Sequence, residues 1–329
     1  MPGTGPSPRS LLGARWARRP PAAGAAVLAT GILSVGLDTT GYAVLSAVAL
    51  VAACAAWLGL AADFVVRLLW DRLRWVAEAG TPGALTAVAA TTVLGIRFSA
   101  LGWQPLAWAL LALAALLWPG LLVLVLRHWR LRMPGTVFLA CVATQGLVVL
   151  GATLAAAEAT AWLGHTSMVL FWLGLVLYTL ALTRFDLREV TCGAGDHWVA
   201  GGALGISALA GSKLVLAGGS GPYLWSGDDS HVLRAVTVAL LVLDLGWYAV
   251  LLVAELSRPR PRYDVRRWAT VFPLGMTAVA TLSVADALDV PWLRTPGEVL
   301  LWIAVAAWLA VAAGAASGAY GQGGAAERR

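Results

Sequence analysis

Few residues of this chain have the type and spacing that covalent chemistry needs. The four histidines, His128, His165, His197 and His231, lie in four separate places, and no HExxH pair sets two of them on one helix face. The only lysine, Lys213, sits in AGSKL, which lacks both the spaced glycine and the following Ser/Thr of a phosphate-binding loop. Cys54 and Cys141 fall in apolar stretches and Cys192 in a short connection; three cysteines cannot all pair, and there is no CxxC site. The sequence thus predicts no catalytic residue, no metal site and no cofactor, and a protein that is not an enzyme. What remains are ionisable and hydroxylic side chains set in apolar surroundings. Arg97, Lys213 and Asp244 are the ionisable ones, and such groups commonly mark paths for ions or protons.

The elements that must position them are membrane helices. Sixty per cent of the residues are apolar and 12% are charged, against about a quarter charged in soluble domains. Apolar runs span roughly 22–37, 42–67, 83–101, 105–126, 135–156, 160–183, 197–217, 233–255, 268–285 and 297–317, and runs near twenty residues are membrane-spanning length. The formal charge of +6 does not point to nucleic acid, because the arginines cluster between the runs. The first run follows Arg15, Arg18 and Arg19 and could be mistaken for a secretory signal, but the hairpin pattern below needs it as a span.

Ten spans put both ends on one side of the membrane. Nineteen of the 23 basic residues fall in the tails and connections of that side, from Arg9 through Arg67, Arg127, Arg184 and Arg266 to Arg329. The other four, Arg97, Lys213, Arg234 and Arg294, fall near the opposite ends of spans. By the positive-inside rule the arginine-rich side is cytoplasmic. The predicted organisation is a cytoplasmic basic tail over 1–21, a ten-helix domain over 22–318 and a cytoplasmic tail over 319–329, in the plasma membrane of the cell.

A second alternation runs along the helices. Odd spans carry small and hydroxylic residues, whereas even spans are mostly Leu, Val, Ala and Trp. Thr30, Thr92, Thr144, Ser207 and Thr281 recur at intervals of 62, 52, 63 and 74 residues, one helical hairpin per repeat. The fold class this predicts is an all-α integral membrane protein of five hairpins in a quasi-fivefold ring, odd helices inside and lining a lumen. Five helices packed at ordinary interaxial distances leave a hole of roughly 2 to 3.5 Å radius, enough for a small ion. Small residues on alternate helices would also serve close packing alone.

The middles of the odd spans hold no acidic residue, and their only charges are Arg97 and Lys213, both near the external ends. That favours an anion over a cation, although both cations could instead snorkel to headgroups. The external side also carries Asp38, Glu158, Asp228, Asp229, Asp286, Asp289 and Glu298, so efflux suits the pattern as well as uptake. In the ninth span Pro273 lacks an amide hydrogen and should free a carbonyl one turn upstream, near Ala269. Phe272 beside it could fill a lumen of that size as a gate, or could pack in the core. Asp244, in the middle of the eighth span within LVLDLGWYAV, is either a proton-linked group or an acid tying an even helix to an odd one.

The stretches ATGILSVGL, VFLACVATQGLVVLGA, HWVAGGALGISALAG and VFPLGMTAVAT, in that order in spans one, five, seven and nine, resemble the tellurite-resistance/C4-dicarboxylate transporter family. That family includes the bacterial tellurite-resistance channel and the plant slow-type anion channels. The resemblance implies ten helices, a quasi-fivefold pore lined by the odd ones, and often a homotrimer. It implies passive conduction of a small inorganic anion or dicarboxylate, or alternatively a proton-coupled carrier or exporter of C4-dicarboxylate, sulfite or tellurite. The family's occluding phenylalanine, just before a proline in the ninth helix, matches Phe272 and Pro273. The kinks of the family's inner helices are commonly prolines, whereas spans one, three, five and seven here offer Gly31, Gly95, Gly146 and Gly205.

Overall fold

A computed structural model describes residues 23–193, 195–219, 227–258 and 264–326. The basic tail expected over 1–21 lies outside the described residues, as do Arg260, Arg262, Arg328 and Arg329. Ten long helices account for the ten apolar runs. They are α1 (Ala23–Thr39), α2 (Ala43–Trp70), α3 (Thr86–Ala100), α4 (Gln104–Arg127), α5 (Leu139–Glu158), α6 (Ala161–Arg184), α7 (Val199–Gly219), α8 (Gly227–Ser257), α9 (Trp268–Leu288) and α10 (Arg294–Ala326). Nine of these regions are long and apolar enough to cross a membrane, and the tenth, Gly24–Thr39, is apolar but shorter. No strand occurs among the described residues beyond one isolated bridge between Met133 and Phe185. The last helix continues to Ala326, through most of the segment expected as a tail, with no proline after Pro296 to stop it.

Four hairpin connections among the described residues turn tightly, on the side opposite the arginine-rich connections. Each contains a residue in the left-handed region: Gly41 (φ 85°), Gly102 (φ 80°), Ala159 (φ 50°) and Asp289 (φ 54°). Gly41 and Gly102 sit 61 residues apart at equivalent places in the first two hairpins, where a side chain would be strained. The arginine-rich connections are longer and hold short helices, Arg72–Ala79 and Glu189–Cys192, and 3-10 turns.

The contacts between helices repeat hairpin by hairpin. Each odd helix packs on its own even partner. The odd helices also pack on one another, α1 on α3, α3 on α5, α5 on α7, α7 on α9, and α9 back on α1, so that the sequence of contacts closes. Each even helix touches the next odd helix in the same order, α10 touching α1. Burial follows the same division: in their most apolar stretches 72% to 94% of residues of the α3, α5, α7 and α9 regions are buried, against 11% to 33% in the even helices. Lipid tails are as apolar as leucine, so helix association here depends on close packing of small residues and on interhelical hydrogen bonds. Both are present, as the next section describes.

Candidate functional site

Three indole–hydroxyl bonds fasten outer helices to inner ones. Trp57 of α2 donates to Thr91 Oγ1 of α3, Trp118 of α4 to Thr144 Oγ1 of α5, and Trp308 of α10 to Thr30 Oγ1 of α1, each at 2.9 Å. Each acceptor hydroxyl passes its own hydrogen to a carbonyl one turn back, on Ala87, Ala140 and Ala26 respectively. In all three the outer helix grips the inner helix of the following hairpin. Thr30 and Thr144, expected to line a lumen, therefore turn their hydroxyls to outer helices. In the third span the matching hydroxyl is Thr91; Thr92 bonds to the Ala89 carbonyl at 2.8 Å and lies beside Gly146 of α5. Ser207 bonds to Ala203 and meets Cys141 Sγ of α5 at 3.7 Å, and Thr281 bonds back to Thr277. The tryptophans went unnoticed as site residues, although Trp57 and Trp118 stand 61 residues apart, as do Trp247 and Trp308. A double-mutant cycle of Trp118→Phe with Thr144→Val, read by thermal unfolding in detergent, is expected to give a coupling of about 1 kcal/mol. Strict additivity would mean the bond contributes nothing.

The inner helices all begin on the arginine-rich side. Four of them are preceded by a 3-10 turn: Pro82–Leu85, Gly135–Phe138, Asp196–Trp198 and Val265–Arg267. The first of these turns touches the second, the second touches the third, and the third touches α9. At the second junction the backbones meet directly, because a Cβ on Gly135 would overlap the Asp196 carbonyl and lie 2.6 Å from the His197 Cα. Gly195, at φ 132°, accepts from Thr270 Oγ1 of α9 at 3.4 Å. Two cations at the start of α9 are paired, Arg267 with Glu255 at 2.6 Å and Arg266 with Asp264 at 3.0 Å. Hydrogen bonds from the Arg266 side chain and amide hold the Asp264 carboxyl below its ordinary value.

Deeper in the bundle, Phe272 is 1% exposed and stands with Pro273 against Gly202 of α7. A Cβ on Gly202 would lie 2.9 Å from Pro273 Cγ and 3.1 Å from Phe272 Cε1, so the absence of a side chain on α7 makes the room these two rings occupy. The glycines expected to permit bends instead face neighbours: Gly31 faces Val93 of α3, Gly95 faces Leu150 of α5, and Gly205 faces Asp244 and Met276.

At the end of α3 remote from the arginine-rich connections, Arg97 is 4% exposed and held by Asp38 at the end of α1, Nη2 to Oδ1 2.7 Å, and by Ser46 of α2, Nε to Oγ 3.0 Å. Ser46 exchanges hydrogen bonds with Ser34 of α1, so three helices meet at this guanidinium. Its charge is thus largely matched by Asp38, while Nη1 has no partner among the described residues. Lys213 lies partly buried on α7, within electrostatic reach of Asp286 of α9, which itself pairs with Arg294 at 2.6 Å. Asp244 is fully buried; Oδ1 accepts from Thr277 Oγ1 of α9 at 3.2 Å, and Oδ2 has no partner among the described residues. A cavity of about 310 Å³ opens away from these residues, between α2, α3 and α4, with Trp57, Phe64 and Trp75 in its wall. No group of three or more His, Cys, Asp or Glu able to hold a metal occurs among the described residues.

Apolar helices throughout, inner ones buried and outer ones exposed, define a multi-pass integral membrane protein. Its charged side chains lie toward the helix ends and connections, apart from Asp244 in the middle of α8. The family model described as SLAC1, voltage-dependent anion channel, matches residues 18–316, and the chain belongs to that family of anion channels and transporters. No curated protein matches the chain.

Proposed function

We propose that the protein conducts small anions passively along the axis of the inner helices, with Phe272 as the occluding side chain and Pro273 fixing its position. The observation that carries this reading is the closed cycle of contacts among five buried helices whose membrane stretches contain no acid. Successive odd helices are separated by one hairpin, so they run parallel and bring their amide-rich ends to the same mouth. Helix N-termini carry partial positive charge and favour anions without placing a fixed cation in the path. Arg97 and Lys213 would add to this at the external mouth, Arg97 weakly because Asp38 offsets its charge. Of the five hydroxyls expected to line the pore, Thr92, Ser207 and Thr281 make no hydrogen bond to an outer helix among the described residues.

The arginine distribution supports a place in the plasma membrane with both ends in the cytoplasm, and the family supports assembly as a homotrimer. Flux of chloride, nitrate, sulfite, tellurite and a C4-dicarboxylate into proteoliposomes tests the reading. Passive, gradient-driven uptake of at least one of these is expected, and uptake of none would overturn it. A second reading, proton-coupled transport of a dicarboxylate, sulfite or tellurite, is favoured by the buried Asp244. Uptake that collapses when the proton gradient is dissipated would select it.

A further inference from the structure

Asp244 occupies a position at which the repeated contact pattern changes chemistry. Where α2, α4 and α10 grip the next inner helix through an indole, α8 carries the equivalent indole on Trp247, 61 residues before Trp308. Trp247 Nε1 has no partner among the described residues. One turn earlier, Asp244 takes over the contact and binds Thr277 of α9. The direction of the bond is reversed, since here the inner helix donates. Thr277 also differs from Thr30, Thr91, Thr92, Thr144, Ser207 and Thr281, which all donate to carbonyls of their own helices. Thus one of the hydrogen-bonded contacts between outer and inner helices is ionisable, and its inner member lies five residues after Phe272 on the same helix.

The surroundings hold no counter-charge. Asp244 makes no ion pair among the described residues. On α7 there is no charged residue between His197 and Lys213, and on α9 none between Arg267 and Asp286. The titratable groups within electrostatic reach are Tyr248 on α8 itself and Tyr178 on α6, behind which lies Cys141 of α5. The free oxygen, Oδ2, is aimed at α7, 3.0 Å from where a Cβ on Gly205 would stand. A bare carboxylate with a single hydroxyl donor is costly in so dry a place, whereas a protonated carboxyl fits it.

We propose that Asp244 is a proton-binding site that controls the gate helix: the protonated carboxyl holds α9 in the closed arrangement, and loss of the proton favours a hydrated, conducting one. The ionised group needs water that the closed packing excludes, and an opening that admits water beside Thr277 also loosens the helix that bears Phe272. The proton bound here sets how often the pore is open and does not travel with the anion. This inference rests on the gate reading given above for Phe272.

The experiment compares wild type, Asp244→Asn and Thr277→Val in proteoliposomes, measuring anion flux and internal pH together as the bath is taken from mildly acid to mildly alkaline. Wild-type flux is expected to rise by about tenfold or more with pH. Asp244→Asn, which mimics the protonated form, should stay at the acid level throughout. Thr277→Val removes a donor that favours the carboxylate, so its rise should move to higher pH. A pH profile in Asp244→Asn that matches wild type would overturn the inference, as would protons entering in step with the anion. Infrared difference spectra give a readout that needs no flux. The carboxylic-acid C=O band should be present in wild type and absent in Asp244→Asn. Absence of that difference removes the proton site even if transport is confirmed, and its presence in a protein that passes no anion leaves the site standing while the gate reading fails.

Discussion

Replacing Phe272 by alanine should raise anion flux by about tenfold or more, equivalent to removing about 1.4 kcal/mol from the barrier to permeation. The ring is 1% exposed and packed on the side-chain-free surface of Gly202. Truncating a buried phenylalanine costs about 3 to 5 kcal/mol in a soluble core, so the variant must be shown to be folded before its flux is read. Phe272→Leu keeps most of the volume and removes the flat ring, and its flux should fall between wild type and alanine. A folded Phe272→Ala protein with wild-type flux would end the gate assignment.

The second large effect is expected at Gly135, and it is structural. A methyl group there meets the Asp196 carbonyl and the His197 Cα, both backbone, so no rotamer change can relieve the overlap. Gly135→Ala should therefore destabilise the protein by about 3 kcal/mol or more, measured by thermal unfolding in detergent. Gly120→Ala on α4 is the control, because nothing lies within 4 Å of the added methyl. That substitution should be neutral or stabilising by about 0.5 to 1 kcal/mol. Equal stabilities of the two variants would mean that the starts of α5 and α7 do not pack backbone to backbone.

Much of this fold is legible in the sequence because a membrane limits what a chain can do. Only helices and closed barrels satisfy the backbone in lipid, and apolar runs near twenty residues suit helices, so each run fixes an element and the arginines fix the alternation of connections. The division into inner and outer helices also shows in the residues, since small and hydroxylic side chains are needed only where protein packs on protein. Which way a side chain points is a different matter. The inner helices are apolar all round, so no amphipathic stripe says which face turns to the axis. For that reason Thr92 and Thr91 could not be told apart, and the hydroxyls of Thr30 and Thr144 prove to face indoles on helices α10 and α4.

Other contacts had no local signal. Arg97 and Asp38 are 59 residues apart and lie on different hairpins, and nothing in either stretch announces the pair that sets their charge balance. Gly135 reads as an ordinary turn residue until the Asp196 backbone is placed against it. Asp244 was visible as an oddity in an apolar helix, but its partner could not be foreseen. Thr277 is identified only by the packing of α8 on α9, and Oδ2 is revealed as unpaired only when α7 is seen to present glycines to it.

The claim on which the rest depends is that the axis of the inner helices is a path for anions. The most direct measurement is the reversal potential of Phe272→Ala in a planar bilayer with unequal potassium chloride on the two sides. The account predicts a current that reverses close to the chloride equilibrium potential. Reversal close to the potassium equilibrium potential, or a folded and inserted protein that carries no current, would contradict it.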